Sequence, residues 1–192
     1  MTKTEEEFYK FLIDPNNFDA VCDVVQYFRD VEERLVYDFW VDVKTKCEER
    51  LKNRKGWQVY LPDIDDAGQS WQLTIFMKKY ERKDAGEFVD FAVCMLELFG
   101  AVECGLWVYD EAAMFDKEDI IKIAKENKRK GWKTGTYWAY YRTLPEDFSE
   151  ISNLKKIRPD SRAFLVNQYV DLMIETMDEL EPFINKHILK KK

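Results

Sequence analysis

The sequence predicts an α+β fold: an antiparallel β-sheet of four to five strands packed against long N- and C-terminal helices. Apolar residues recur every three or four positions towards both ends of the chain, which is the period of a helix with one buried face. Between these ends, successive segments alternate apolar and polar residues, which is typical of antiparallel strands with one face in water. At 192 residues, the chain is expected to form one α+β domain over residues 1–192.

Two helices are predicted at the N-terminal end. A short helix over residues 4–13 ends before Asp14-Pro15, and Asn16 or Asn17 is expected to cap the long helix that follows. Arg54-Lys55-Gly56 predicts the end of the long helix. Its apolar residues form one stripe over about nine turns, and the last three suit a sheet or a second copy of the chain equally well. The stripe consists of Val21, Val24, Phe28, Val31, Leu35, Phe39, Val43, Cys47 and Leu51.

Strands are predicted in the middle of the chain. Residues 57–61 and 71–77 alternate on either side of a turn at 62–68, which indicates an antiparallel hairpin. Residues 88–98 are ambiguous between a buried helix and a strand, and a strand at about 90–98 is favoured. Another strand is expected over 103–109.

The C-terminal part is predicted to hold a helix, a strand and a second helix. Asp116 caps a helix that ends at Gly131, and residues 134–143 alternate as a strand. Asp160 or Ser161 is expected to cap the last helix. The apolar stripe of that helix consists of Leu165, Tyr169, Leu172, Met173, Met177, Leu180 and Ile184.

Charge and cysteine usage predict a cytoplasmic protein. The net charge of −7 favours solubility and disfavours attraction of the whole surface to nucleic acid or anionic lipid. The four cysteines show no CxxC pairing and the first residues are acidic rather than signal-like, so reduced thiols are expected. No apolar run reaches the roughly 18 residues that a membrane span requires, and no membrane association is predicted.

The sequence offers no organised catalytic or metal site, so we predict no catalytic residue, no metal ligand and no cofactor. The single histidine, His187, lies beside a terminal lysine run, which is a poor place for a positioned base. The cysteines lack zinc-ligand spacing, and no glycine-rich phosphate motif is present.

One pattern keeps a nuclease as an alternative. Pro62-Asp63, followed by Glu81-Arg82-Lys83, matches the loose text pattern of PD-(D/E)XK nucleases. In such a site Asp63, Glu81 and Lys83 would hold a divalent metal that activates water.

The strongest candidate for a binding surface is the region of residues 117–142. It carries eight positive and three negative side chains, a net of +5, so the rest of the chain sums to −12. Cations interleaved with stacking-capable rings suit single-stranded nucleic acid, a nucleotide or an acidic protein partner. The alternative interpretation is a solvated helix face beside a sheet whose aromatic residues lie in the core. The candidate binding residues are Lys125, Lys128, Arg129, Trp132, Lys133, Trp138 and Tyr140.

The order of elements is similar to that of a known family. A long helix leads into Gly56-Trp57-Gln58-Val59, further strands end at Trp107-Val108-Tyr109, and Gly131-Trp132 precedes the aromatic strand Tyr137-Trp138-Ala139-Tyr140-Tyr141. This resembles the α+β accessory domain that follows PD-(D/E)XK-type nuclease modules in bacterial and phage proteins. The resemblance implies a non-catalytic module linked to nucleic-acid metabolism or phage–host conflict.

Together these observations predict a non-catalytic binding or regulatory protein that acts through a protein partner or nucleic acid. An acidic body suits docking onto a basic partner or mimicry of nucleic acid. Two alternatives stay open: the PD-(D/E)XK-like nuclease, and a nucleotide or small-ligand sensor whose pocket is formed by Lys128, Arg129, Trp132, Trp138 and Tyr140.

Overall fold

A computed structural model of the chain describes residues 1–64, 72–77, 91–96, 100–108, 133, 135 and 138–187. The predicted class, α+β with an antiparallel sheet, is confirmed. The helix predicted between Asp116 and Gly131 lies outside the described residues. The elements are α1 (Lys3–Ile13), α2 (Pro15–Leu51), β1 (Trp57–Tyr60), β2 (Gln72–Met77), β3 (Phe91–Leu96), β4 (Ala101–Val108), β5 (Trp138–Asp147), α3 (Ile151–Leu154), a 3₁₀ turn (Lys155–Ile157) and α4 (Ala163–His187).

The chain divides into two compact units, Met1–Leu35 and Val36–Lys192. Helix α2 contributes its first part to the N-terminal unit and its last part to the second unit. All described strands, together with α3 and α4, belong to the second unit.

A capping box starts α1, which agrees with the short helix predicted over residues 4–13. The Thr2 hydroxyl accepts a hydrogen bond from the Glu5 amide at 3.2 Å, and the Glu5 carboxylate accepts one from the Thr2 amide at 2.6 Å. Two of the amides that a helix start leaves without intrahelical partners are satisfied in this way.

Asp14, rather than Asn16 or Asn17, caps α2. Its carboxylate accepts a hydrogen bond from the Asn16 amide at 2.8 Å, and Pro15 occupies the first helical position. Proline suits that position because its fixed φ is helical and no amide hydrogen is needed there. The Asn17 side chain instead donates to the Phe11 carbonyl at 3.1 Å, so it satisfies the end of α1. The prediction of an asparagine cap was therefore wrong by two or three positions.

The end of α2 agrees with the predicted stop signal. The helix ends at Leu51, and Gly56 takes φ +87° before β1 begins. An L-residue with a Cβ rarely adopts that conformation, whereas glycine adopts it without steric strain.

The strands pair antiparallel in the order β1-β2-β3-β4-β5. One row of aligned residues crosses every strand: Tyr60, Thr74, Cys94, Gly105 and Tyr141. The favoured strand interpretation of residues 90–98 is confirmed, because β3 pairs with both β2 and β4.

The strand predicted at 134–143 begins and ends later, at Trp138 and Asp147. Lys133 pairs with Tyr141 in an isolated antiparallel bridge, and the Gly135 amide donates to the Trp138 carbonyl at 2.8 Å. These two residues therefore bond back onto β5 instead of extending it.

The core of the second unit lies where the last part of α2 meets α4 and the segment after β5. The ring centroid of Phe39 lies 5.0 Å from that of Trp40, 5.4 Å from that of Phe148 and 5.6 Å from that of Tyr169. Helix α4 also contacts β3 and β4. The stripe predicted for α4 is buried at Leu165, Tyr169, Leu172, Met173 and Met177.

Ion pairs at the rim of this core connect α2 and the turn that follows it to α4. Arg162 donates to Asp42 at 2.7 Å and Arg50 to Asp171 at 2.7 Å, while Arg54 pairs with Asp178. The contacts advance in the same direction along both helices, so the helices run roughly parallel. The pairs of Arg50 and Arg54 are partly exposed, and such pairs are worth at most about 1 kcal/mol each, whereas Arg162 is mostly buried in its pair with Asp42.

Candidate protein-interaction surface

The most unusual feature of the structure is the exposed apolar surface of the N-terminal unit. No residue of α1 is buried, and the buried residues of α2 begin only at Val36. We define the N-terminal apolar surface as Phe8, Tyr9, Phe11, Ile13, Phe18, Val24, Val25, Tyr27, Phe28 and Val31, whose exposed fractions run from 46% to 70%. Exposed apolar residues in this number are typical of sites that bind another molecule.

The α2 stripe therefore divides into two parts with different environments, whereas the sequence predicted one buried stripe. Phe28 is 46% exposed and Val31 is 60% exposed, but Phe39 and Val43 are fully buried. The last three stripe residues, for which a sheet or a second copy was left open, are buried within their own unit. The exposed apolar residues of this helix therefore lie in its first part.

Charge is segregated around the same helix. At 100° per residue, the apolar residues from Phe18 to Val31 occupy about half of the circumference, and Asp19, Asp23 and Asp30 cluster on the other side. Residues 1–35 carry nine acidic and four basic side chains, a net of −5. The surface thus combines an apolar face with an acidic back.

The predicted basic and aromatic binding residues fall partly within the described chain. Lys133 is exposed beside Tyr141, and Trp138 is 7% exposed. Tyr140 lies in β5, where it pairs with Leu106. Lys125, Lys128, Arg129 and Trp132 lie outside the described residues, so the predicted grouping of these candidates stays a prediction.

Trp138 belongs to an aromatic cluster on one face of the sheet. Its ring stacks on Tyr141 at a centroid distance of 5.5 Å and meets Trp107 edge-on at 5.2 Å. Phe76 and Tyr60 complete the cluster. Because Trp138 is only 7% exposed, the cluster favours a packing role for this ring over recognition of a ligand.

A register shift explains why Trp138 and Tyr141 share a face. Trp107 pairs with Trp138, but the preceding Leu106 pairs with Tyr140, so β5 contains one extra residue. Such a bulge interrupts the alternation of side chains. Regular alternation over residues 134–143 would instead place Trp138 and Tyr141 on opposite faces of the strand.

A small polar group is buried between β5 and α4. Glu146 is 8% exposed and accepts a hydrogen bond from the Tyr169 hydroxyl at 3.0 Å, while Lys156 lies 3.5 Å from its other oxygen. Burial and the nearby Glu146 carboxylate raise the pKa of Tyr169 well above its usual value. The hydroxyl therefore stays protonated and acts as a donor that satisfies a buried carboxylate.

None of Cys22, Cys47 and Cys104 forms a disulfide. Cys22 is exposed, whereas Cys47 and Cys104 are buried. Burial raises the pKa of Cys47 to about 12, so this thiol is protonated and unreactive near neutral pH.

The cleft at the end of α2 has the character of an open polar surface. Its volume is about 550 Å³, and Lys52, Arg54, Gly56 and Trp57 are among its lining residues. Arg54 is already engaged by Asp178, and the Trp57 indole nitrogen donates to Glu181 at 3.3 Å.

The nuclease alternative rests mostly on residues outside the described chain. Asp63 is exposed after β1, and Glu81 and Lys83 fall outside the described ranges. Within the described part of the chain, no three histidine, cysteine, aspartate or glutamate side chains are placed to hold a metal ion.

Comparison with known proteins gives no relative: no family model, no curated protein and no solved structure matches this chain. None of the described helices combines the length and apolar character needed to cross a membrane. Any functional assignment must therefore come from the described surfaces themselves.

Proposed function

We propose that this is a non-catalytic binding or regulatory protein that acts through a protein partner docked on the N-terminal apolar surface. The observation that carries the proposal is the exposure of the first part of the α2 stripe beside the complete burial of the last part. The second unit supplies a packed body, and the N-terminal unit supplies exposed apolar side chains.

The charges of the N-terminal unit favour a protein over a membrane or nucleic acid. Amphipathic helices that lie on membranes carry Lys and Arg on their polar face, whereas Asp19, Asp23 and Asp30 occupy that position here. Nucleic acid binding requires cations, and residues 1–35 have a net charge of −5. The apolar face and the acidic polar side of this unit therefore favour a protein partner that has an apolar stripe of its own.

The energy available at the surface is sufficient only if most of it is covered. Fully burying a large apolar side chain yields about 1.5–3 kcal/mol, so burying the exposed half of each yields about 1 kcal/mol. Ten such residues yield roughly 10 kcal/mol before the cost of association, which is about 4–15 kcal/mol. We therefore expect a partner that covers both helices of the unit.

The test uses the tagged full chain as bait in an extract of its native cells. Val24→Asp places a charge in the apolar face, and Gln26→Asp places the same charge on the polar side of the same helix turn. We expect the wild-type and Gln26→Asp baits to retain the same protein and the Val24→Asp bait to lose it. An untagged copy of the chain counts as such a protein. Equal retention by all three baits would contradict the proposal, as would retention of nothing by the wild type.

Anionic vesicles provide the second arm of the experiment. We expect the wild-type chain to stay in the supernatant when vesicles rich in phosphatidylglycerol are sedimented. Co-sedimentation that Val24→Asp abolishes would show that lipid is the ligand of the surface and would overturn the proposal.

The cytoplasmic location stays a prediction from the sequence, as does the link to nucleic-acid metabolism or phage–host conflict. The same holds for the nucleotide sensor, of whose pocket residues the structure describes Trp138 and Tyr140.

A further inference from the structure

The spacing of apolar residues in α2 changes where the exposed part meets the buried part. From Val21 to Leu35 the steps alternate three, four, three, four; from Leu35 to Leu51 every step is four. An average step of 3.5 keeps a stripe facing a second helix in a left-handed coiled coil. The exposed part of α2 therefore has the pattern of a helix that pairs with another helix over two heptads.

The side chains of this heptad stripe are exposed or half-buried. With Val21 at position a, the stripe continues through Val24 (d), Phe28 (a), Val31 (d) and Leu35 (a). Val24, Phe28 and Val31 are exposed, and the two outer members are half-buried.

Positions e and g, which flank the stripe, distinguish a second copy from a strongly basic partner. They hold one acid and one base among otherwise apolar residues: Phe18, Ala20, Val25, Tyr27, Glu32 and Arg34. A basic partner helix would need a row of acids there for attraction. The row is absent, so charge complementarity gives no preference for such a partner.

The same flanks allow two copies to approach. The acids that give the unit its net charge of −5 include Asp19, Asp23, Asp30 and Glu33, which fall at the outer positions c and f. Like charges directly opposite each other would oppose association, but these acids point away from the line of contact.

The area is sufficient for a pair only if the contact covers the rings of α1 as well as the heptad stripe of α2. Six rings of the unit are between 46% and 70% exposed: Phe8, Tyr9, Phe11, Phe18, Tyr27 and Phe28. Because a fully covered aromatic side chain buries about 150–250 Å², covering these rings would bury roughly 600 Å² per copy and roughly 1,200 Å² for two copies. Stable specific interfaces begin at about 1,200 Å², and the aliphatic residues add to this total.

We infer that the occupant of the N-terminal apolar surface is a second copy of this chain, paired through the heptad stripe of α2. A two-fold symmetric contact uses the same patch on both copies, so a stripe that is apolar throughout is its own complement. The inference rests on the proposed function and names its partner.

Sedimentation velocity of the full chain tests the inference. We expect the wild type and Gln26→Asp to sediment at twice the chain mass of 23.0 kDa. Val24→Asp brings an unpaired charge from each copy into a d layer, so its dimer dissociation constant should rise about 100-fold or more. Because Val24 and Gln26 are both exposed in the single chain, both variants should keep the wild-type helical circular dichroism.

A wild type that is monomeric at its highest soluble concentration would overturn the inference, and so would a Val24→Asp chain that remains a dimer. If the chain is a monomer and retains another protein only when Val24 is intact, the proposed function is supported and only the inference of a second copy is rejected. A monomer whose retained proteins ignore Val24→Asp removes both.

Discussion

Two phenylalanines in one helix provide a direct comparison of the two parts of the α2 stripe. Phe39 is fully buried, with ring centroids 5.0 Å from Trp40, 5.4 Å from Phe148 and 5.6 Å from Tyr169. Truncation of a buried phenylalanine to alanine costs about 3–5 kcal/mol, because transfer energy is lost and a cavity remains. We therefore expect Phe39→Ala to lower the free energy of unfolding by that amount.

The same substitution at Phe28 should have little effect on the single chain. Its ring is 46% exposed, so less burial is lost, and alanine has the higher helix propensity. We expect Phe28→Ala to change the free energy of unfolding by less than about 1 kcal/mol. For a chain of this size each kcal/mol shifts the melting temperature by about 2–4 °C, so Phe39→Ala should melt about 6–20 °C lower while Phe28→Ala stays close to the wild type.

Urea denaturation followed by circular dichroism measures both variants. It should be done at low protein concentration, because self-association stabilises the folded state by mass action. A Phe28→Ala chain that loses as much stability as Phe39→Ala would refute the division of the stripe. A loss below about 1 kcal/mol for Phe39→Ala would show that the rings around it are not the core.

Three further predictions concern the second unit and the thiols. Iodoacetamide should label Cys22 in the native protein and leave Cys47 unmodified, because burial raises the pKa of Cys47 to about 12. Peptide mass spectrometry measures the labelling, and equal labelling of the two cysteines would contradict the prediction. Tyr169→Phe should cost about 1.5–3 kcal/mol at neutral pH, because the Glu146 carboxylate loses its donor. The pKa of Tyr169 is raised in the fold, so above about pH 10 only the unfolded chain releases this proton. The free energy of unfolding of the wild type should therefore fall by about 1.4 kcal/mol per pH unit more than that of Tyr169→Phe. Urea midpoints of the two proteins that change in parallel from about pH 8 to 11 would contradict this. Gly56→Ala should cost about 1 kcal/mol from backbone strain alone, because an added Cβ at φ +87° meets no neighbour, and an unchanged urea midpoint would count against it.

Local signals in the sequence were sufficient for α1, α2, α4 and most of the described strands. The three- and four-residue steps of the last helix predicted the buried face that includes Tyr169 and Met173. Gly56 was recognised as the point where the chain turns, because its conformational freedom is a property of the residue itself. The alternation of β1 and β2 likewise reflects a sheet with two different faces.

The division of the α2 stripe could not be obtained from apolar character alone. Whether Phe28 or Phe39 is buried depends on Tyr169 and Phe148, which are more than a hundred residues away in the sequence. The change of step at Leu35 was available as a signal, because a stripe of constant function would keep one period.

Two further features arise from long-range structure. The bulge in β5 shifts the register by one residue between Leu106 and Trp107, so alternation predicts the wrong face for one of Trp138 and Tyr141. Glu146 is a charged residue that counts as exposed in any sequence-based analysis. It is buried because Tyr169 supplies a hydrogen bond and Lys156 a nearby charge.

Site-specific photocross-linking in intact native cells tests most directly whether the N-terminal apolar surface binds a protein. Benzoylphenylalanine is placed at Phe28, where an aromatic ring already lies in the apolar face, or at Gln26 on the polar side. We predict a discrete protein adduct from position 28, a second copy of the chain, and no such adduct from position 26. The absence of an adduct at position 28, or equal adducts at both positions, would contradict a binding role for this surface.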